Sequence, residues 1–255
     1  MLYPLVVLIG AASAWSLYSP TDRIIGGYSV EIEQRPFQVS ILLYGEHFCG
    51  GSIIRNNVIL TAAHCLVGVS KDYLKVRIGS TDRTSGGKLI AVRKTLYNEN
   101  YDDATSGSDI GLIWLDEILE FNDKVGMISL PLQDETFAAG LITTVSGWGL
   151  LAFEGDLADT LQEVQIPLVD HEVCSREYRG LVNQDMICAG DDEGGKDACQ
   201  MDSGGPLTAV NKQIGIVSFG YECAVPHYPG VYTNVAHFRE WIENKILEDQ
   251  ISSRV

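Results

Sequence analysis

Gly195-Lys196-Asp197-Ala198-Cys199-Gln200-Met201-Asp202-Ser203-Gly204-Gly205-Pro206-Leu207 is the stretch from which the rest of the chain can be read. Ser203 sits between an aspartate and two glycines. Glycine lets a backbone bend sharply and approach another group closely, so this hydroxyl fits a nucleophile on a tight turn. A serine hydroxyl is a weak nucleophile and needs a general base, for which histidine is suited near neutral pH. The histidine in turn needs a carboxylate that fixes its tautomer and stabilises the imidazolium. Thr61-Ala62-Ala63-His64-Cys65 supplies His64, and Ser108-Asp109-Ile110-Gly111-Leu112 supplies Asp109. The chain order His64, Asp109, Ser203 is one of the orders in which an acyl-transfer triad occurs. His47, His171, His227 and His237 lie outside such motifs and read as surface or structural residues.

Composition narrows the class. The chain has 255 residues, enough for one large all-β unit or two small barrels. With 34 Asp and Glu against 18 Lys and Arg, its net charge is -16. Such an acidic chain is a poor partner for nucleic acid or anionic membranes, though it suits solubility and attracts basic substrates. Leu5-Val6-Val7-Leu8-Ile9 followed by Ala12-Ser13-Ala14 reads as an export signal with a small-residue cleavage site. That apolar run is too short to span a bilayer, so no membrane anchor is expected. The six cysteines, at 49, 65, 174, 188, 199 and 223, are expected to form disulfides in an exported chain, with fifteen pairings open. No CxxC or HxxxH spacing supports a metal site.

Most of the chain reads as short strands. Phe37-Gln38-Val39-Ser40-Ile41, Leu74-Lys75-Val76-Arg77-Ile78 and Leu161-Gln162-Glu163-Val164-Gln165-Ile166 alternate apolar and polar residues. Arg55-Asn56-Asn57 between Ser52-Ile53-Ile54 and Val58-Ile59-Leu60 suits a hairpin turn. Regular strand spacing without helix alternation predicts barrels or sandwiches, and 26 glycines fit so many turns. The exception runs from Val235 to about Asp249, where Phe238, Trp241, Ile242 and Ile246 fall at helical spacing. The stretch 126–136, interrupted by Pro131, is the one plausible linker.

Several further motifs occur in a fixed order: Ile24-Ile25-Gly26-Gly27, Cys49-Gly50-Gly51-Ser52, Ser146-Gly147-Trp148-Gly149 and Pro229-Gly230-Val231-Tyr232. Together with the three triad motifs they make residues from Ile24 to about Glu243 resemble a trypsin-like serine protease of the chymotrypsin family. HFCGGSI, SGGKLIAV and DMICAGDDEGGKDAC look most like the mite group 3 allergens and their parasitic-mite paralogues. The resemblance implies an all-β fold of two antiparallel barrels, with the triad in the cleft between them and a C-terminal helix. It divides the chain into a signal peptide (1–14), an activation propeptide (15–23), a first barrel (24–125) and a second barrel with the helix (126–255). His64 and Asp109 belong to the first barrel, Ser203 and Asp197 to the second.

The resemblance also assigns roles. Cleavage after Arg23 frees the Ile24 amine, which turns inward and pairs with Asp202. A buried pair of this kind is costly unless both members are present, so it acts as a switch. Within the uncleaved precursor, His47 has a bonding role. The implied disulfides are Cys49–Cys65, Cys174–Cys188 and Cys199–Cys223. Asp197 lies on the floor of the primary specificity pocket, where a carboxylate takes Arg or Lys. Gly220 and Gly230 keep its walls open. Ala198 replaces the commoner Ser near the floor, which favours Arg over Lys. Phe219 replaces a usual Trp and Glu222 a usual Gly beside the substrate backbone groove. The segment Gly79–Lys88 is short and lacks the paired Glu of calcium-binding trypsins, and no cofactor is implied. The implied partners are protein or peptide substrates with Arg or Lys at the cut and protein protease inhibitors, met outside the cell by a monomer.

One position departs from the family. Met201 stands where a glycine usually helps to form the oxyanion hole with the Ser203 N–H. If the Met201 peptide turns away, a donor is lost at a cost of roughly 10²–10³ in turnover. If its backbone strain is tolerated, the N–H remains and only the side chain intrudes on the leaving-group side. Two functions follow: a secreted endopeptidase made as a zymogen and cutting after Arg or Lys, or a weak or inert paralogue that binds other proteins.

Overall fold

The computed structural model describes residues 26–152 and 155–253. The predicted signal peptide (1–14) and propeptide (15–23), with Arg23 and Ile24, lie outside those residues. Strands β2 (Gln38–Leu43), β3 (Glu46–Arg55), β4 (Val58–Thr61), β5 (Leu74–Ile78), β6 (Lys88–Tyr97) and β7 (Gly111–Leu115) close a barrel in the order β2-β3-β4-β7-β6-β5. Alternation explains it. In β5, Leu74, Val76 and Ile78 are buried, whereas Lys75 is exposed. They meet Val39, Ile41, Ile53 and Ile113 in one core. Tyr44 and Gly45 join β2 to β3 with φ of 53° and 94°, the left-handed pair of a tight hairpin turn that matches strand twist.

The second barrel uses β8 (Ile142–Gly147), β9 (Gln162–Val169), β10 (Met186–Ala189), β11 (Pro206–Ala209), β12 (Lys212–Phe219) and β13 (Gly230–Asn234). All neighbours are antiparallel, and the β8–β9 pairing closes the ring. Val145, Val164, Ile166, Leu207, Ile214 and Tyr232 fill it. The linear division at 125/126 is crossed at both ends. The short strand β1 (Tyr28–Ser29) pairs with β9 of the second barrel. Helix α2 (Arg239–Ser252) buries Ile242 and Ile246 in the core of the first. The predicted helix began at Val235; the structure keeps Val235 and Phe238 buried but starts the helix later. A second helix, α1 (His171–Glu177), is at seven residues too short to show a helical period in the sequence. Asp170 caps it, accepting from the amides of Glu172 and Val173.

Buried polar pairs register one barrel against the other. Ser146 Oγ donates to Gln38 Oε1 at 2.7 Å, and Ser52 Oγ donates to Gln213 Oε1. The Gly50 amide of β3 donates to the Ser203 carbonyl at 2.8 Å. No helix among the described residues is long and apolar enough to cross a membrane.

Candidate active site

His64 sits on a single helical turn, Ala63–Cys65, at the end of β4, and Asp109 just before β7. His64 Nδ1 lies 2.8 Å from Asp109 Oδ2, and the His64 amide donates to Oδ1 at 3.0 Å. An ionised carboxylate only accepts, so Nδ1 carries the hydrogen and Nε2 is left with its lone pair. Ser218 Oγ also donates to Asp109 Oδ2, at 2.5 Å, and Thr233 Oγ1 to the Asp109 carbonyl at 2.6 Å. Asp109 is 1% exposed, and these donors take the place of water around its charge. The chain reaches it through Ser108, at φ 55°, whose amide and hydroxyl donate to Asp185 Oδ2.

Ser203 is carried by the turn before β11. Gly204 has φ 79°, and a Cβ there would collide with Thr61 Oγ1. A Cβ on Gly50 would come within 2.9 Å of the Gly205 Cα. The glycines of both motifs therefore let the two barrels touch at the nucleophile. The Cys65 sulfur lies 3.7 Å from the Ser203 carbonyl oxygen, so the residue next to His64 contacts the residue bearing the hydroxyl. No hydrogen bond of the Ser203 hydroxyl is found among the described residues; such bonds often tighten only with substrate bound. Cys49, Cys65 and His64 place ligand-type atoms within 4.8 Å of one another. The two sulfurs are bonded to each other, which removes the thiolates a metal would need. Cys174–Cys188 and Cys199–Cys223 are the other disulfides.

The peptide units before Ser203 are held on several sides. Leu150 N–H donates to the Gln200 carbonyl at 2.9 Å. In a trans peptide the N–H points opposite to the carbonyl, so the Met201 N–H faces away from Leu150. Among the described residues it has no partner, and neither has the Ser203 N–H. Met201 has φ 71°, and its side chain is 39% exposed. Asp202 is fully buried; its Oδ1 accepts from Gly149 N–H at 2.8 Å and its Oδ2 from Cys199 N–H at 3.0 Å. Burial pushes its carboxyl up to about 6.

Asp197, Ala198, Gly220 and Gly230 line one cavity of about 210 Å³ that also reaches Ser203. Asp197 is 4% exposed; its Oδ2 accepts from Ala224 N–H at 3.1 Å, and its Oδ1 has no partner. Desolvation pushes this carboxyl up to about 7. A Cβ on Gly230 would stand 2.8 Å from Asp197 Oδ1, so only glycine leaves the oxygen open. The lining is braced by the Cys199–Cys223 disulfide and, from behind, by Tyr178. That hydroxyl donates to the Pro229 carbonyl and accepts from Tyr221 N–H. A buried, half-satisfied carboxylate on a cavity wall keeps an unmet hydrogen-bond acceptor facing that cavity.

A family model for trypsin matches residues 24–242. The chain belongs to the trypsin family. It is 41% identical over 232 residues to Trypsin 5G1 of Aedes aegypti, covering 90% of this chain and 87% of that protein. Hypodermin-A of Hypoderma lineatum is 40% identical over 247 residues, 95% of each chain. The vitellin-degrading protease of Bombyx mori is 38% identical over 226 residues, 88% of this chain and 86% of that one. Membership of the trypsin family makes this a serine peptidase domain.

Sequence reasoning missed Ser218, Thr233 and Asp185, which position Asp109. None stands in a motif that betrays the contact, since each reaches Asp109 or its turn only through the barrel closure. It also left the role of His47 in the folded chain open. His47 is buried, with Nδ1 2.7 Å from Ser40 Oγ and Nε2 3.0 Å from the Met201 carbonyl.

Proposed function

We propose that this trypsin-family chain is a secreted endopeptidase, made as a zymogen, that cuts proteins and peptides after Arg or Lys. The observation that carries the specificity is Asp197 Oδ1, buried and unpartnered on a cavity that reaches Ser203. A guanidinium or ammonium entering that slot supplies the missing hydrogen bonds and returns the carboxylate to its charged form. His64 Nε2 takes the Ser203 proton as Oγ bonds to the scissile carbonyl carbon. The carbonyl oxygen becomes an oxyanion held by the N–H groups of Met201 and Ser203. As that intermediate collapses, His64 returns the proton to the leaving nitrogen and the peptide bond breaks. Water then attacks the acyl-enzyme by the same route and frees the carboxylic acid.

Zymogen activation is part of the proposal. Asp202, fully buried with only backbone donors among the described residues, has the environment a buried ammonium would satisfy. Cleavage of Arg23–Ile24 would supply it. Export through residues 1–14, the propeptide 15–23, extracellular action, inhibition by protein inhibitors and the likeness to mite group 3 allergens belong to the same reading. The test is to cleave Arg23–Ile24, titrate Ser203 with an acylating reagent and assay Arg, Lys and Phe ester and amide substrates. Stoichiometric acylation with turnover confined to Arg and Lys is expected. Absent acylation would refute the enzyme and leave the alternative of a binding paralogue.

A further inference from the structure

Glu222 lines the same cavity as Asp197. Asp197 and Ser203 lie on the segment leading into β11; Glu222 follows the end of β12. Its side chain is exposed, and no ion pair or hydrogen bond engages its carboxylate among the described residues. No Lys, Arg or His is among the residues lining the cavity, so nothing there neutralises either acid.

The backbone fixes the point from which this side chain leaves the loop. Glu222 has φ 58°, and Ala224 and His227 of the same loop have 58° and 65°. Side-chain-bearing residues adopt that region at a cost, and persist there only where the surroundings over-determine the conformation. Here the surroundings do so. The Cys199–Cys223 bond anchors the next residue, Ala224 N–H is tied to Asp197, and Tyr221 N–H is tied to the Tyr178 hydroxyl. Glycine at 222 would be free of the strain and would remove the charge. The site thus has two carboxylates of different kind, one buried with an unpartnered oxygen and one solvated.

We propose that Glu222 is a specificity-determining residue, recognising a second basic side chain within a few residues of the scissile bond. Substrates with paired or closely spaced basic residues are then preferred over those with an isolated Arg or Lys. This rests on the reading of Asp197 as the receptor for the first basic residue. The second contact is solvated, so its effect is that of an exposed ion pair, about three- to fivefold in kcat/KM, and weakens with salt.

The test uses the activated enzyme and peptides cut after Arg, with Arg or Gln placed in turn at each of three preceding and two following positions. The readout is the Arg-to-Gln ratio of kcat/KM at each position. A ratio of about three to five at one or more of these positions, falling toward one in high salt, is expected. Glu222→Gln and Glu222→Gly should both bring it near one, Glu222→Asp should keep part of it, and Glu222→Lys should invert it. Titration of Ser203 corrects every variant for folded, competent enzyme. A flat ratio in the unaltered enzyme, or a ratio that survives Glu222→Gln, would overturn the proposal. Each of those outcomes leaves cleavage after Arg intact, whereas loss of Arg cleavage altogether is the separate failure of the Asp197 reading.

Discussion

His47 Nε2 lies 3.0 Å from the carbonyl oxygen of Met201. A carbonyl cannot donate, so Nε2 carries the hydrogen, and Nδ1 accepts from the Ser40 hydroxyl at 2.7 Å. Met201 is left-handed, at φ 71°, a conformation that costs a side-chain-bearing residue about 1–2 kcal/mol. Its preceding carbonyl is held by Leu150 N–H and its own by His47. Two fixed carbonyls define the peptide planes on both sides of Met201 and hence where its N–H points.

Removing one clamp should therefore matter more with Met at 201 than with Gly. His47→Ala is expected to lower kcat about tenfold or more with KM changed little, because an oxyanion donor acts chiefly in the transition state. In a Met201→Gly background the same change should cost less than about threefold, because glycine takes this backbone conformation without strain. Double-mutant kinetics, corrected by Ser203 titration, measure the coupling. Equal losses in both backgrounds would show that His47 does not steady Met201.

His47 also sets an acid limit. Burial lowers its pKa from 6.5 to about 4. The unfolded chain binds the proton near pH 6.5 and the folded chain does not, so this contribution is complete above that pH. It is lost as the pH falls from 6.5 toward 4. Replacing His47 by Gln should flatten the decline of Tm over that interval, read by calorimetry at half-unit steps. An unaltered slope would mean that other groups govern acid unfolding.

At the pocket floor, Gly230→Ala places a methyl 2.8 Å from Asp197 Oδ1. Either the carboxylate or the β13 backbone must shift. Misplacement on the scale of 1 Å costs about 10² in rate, so kcat/KM for Arg substrates should fall by about that factor. Acylation by a small reagent that does not enter the pocket should persist. If the Arg substrate is cut as before, Asp197 is not the receptor.

The barrels were legible because alternating strands such as Leu74–Ile78 announce which side faces inward, and because the triad motifs mark where loops leave them. What remained hidden depends on contacts distant in sequence. Ser218 reaches Asp109 across 109 residues, and His47 reaches Met201 across 154. Local pattern carries no trace of either. Met201 itself was visible as a departure, yet sequence left two fates open for its peptide. The Leu150–Gln200 bond favours the one in which the N–H stays and the side chain intrudes. Met201→Gly should then raise kcat by less than about tenfold, well short of the 10²–10³ of a lost donor. It should tighten rigid protein inhibitors more, since their preformed loops cannot flex around a half-exposed methionine. A large kcat gain with unchanged inhibitor affinity would reverse that assignment.

As the proposed receptor, Asp197 would couple recognition to stability, and the sign follows from its environment. Burial raises its pKa from 3.8 to about 7. Below pH 3.8 both folded and unfolded chains hold the proton and the group contributes nothing. Between about 4 and 7 the unfolded chain has released it and the folded chain retains it, so rising pH progressively destabilises the fold. Above 7 the penalty is complete, on the order of 1–3 kcal/mol once solvent reaching the cavity is allowed for. Asp197→Asn keeps the shape, removes the titration, and should raise Tm at pH 8 while leaving it nearly unchanged at pH 4. The same change should abolish preference for Arg and Lys. A small amidinium ligand reads the charge directly, without the chemistry of His64. Its affinity for the unaltered enzyme should rise with pH and level off above about 7, as the carboxylate ionises, and the Asn variant should bind it weakly at every pH. Affinity independent of pH across that range would show that Asp197 is already charged when the pocket is empty.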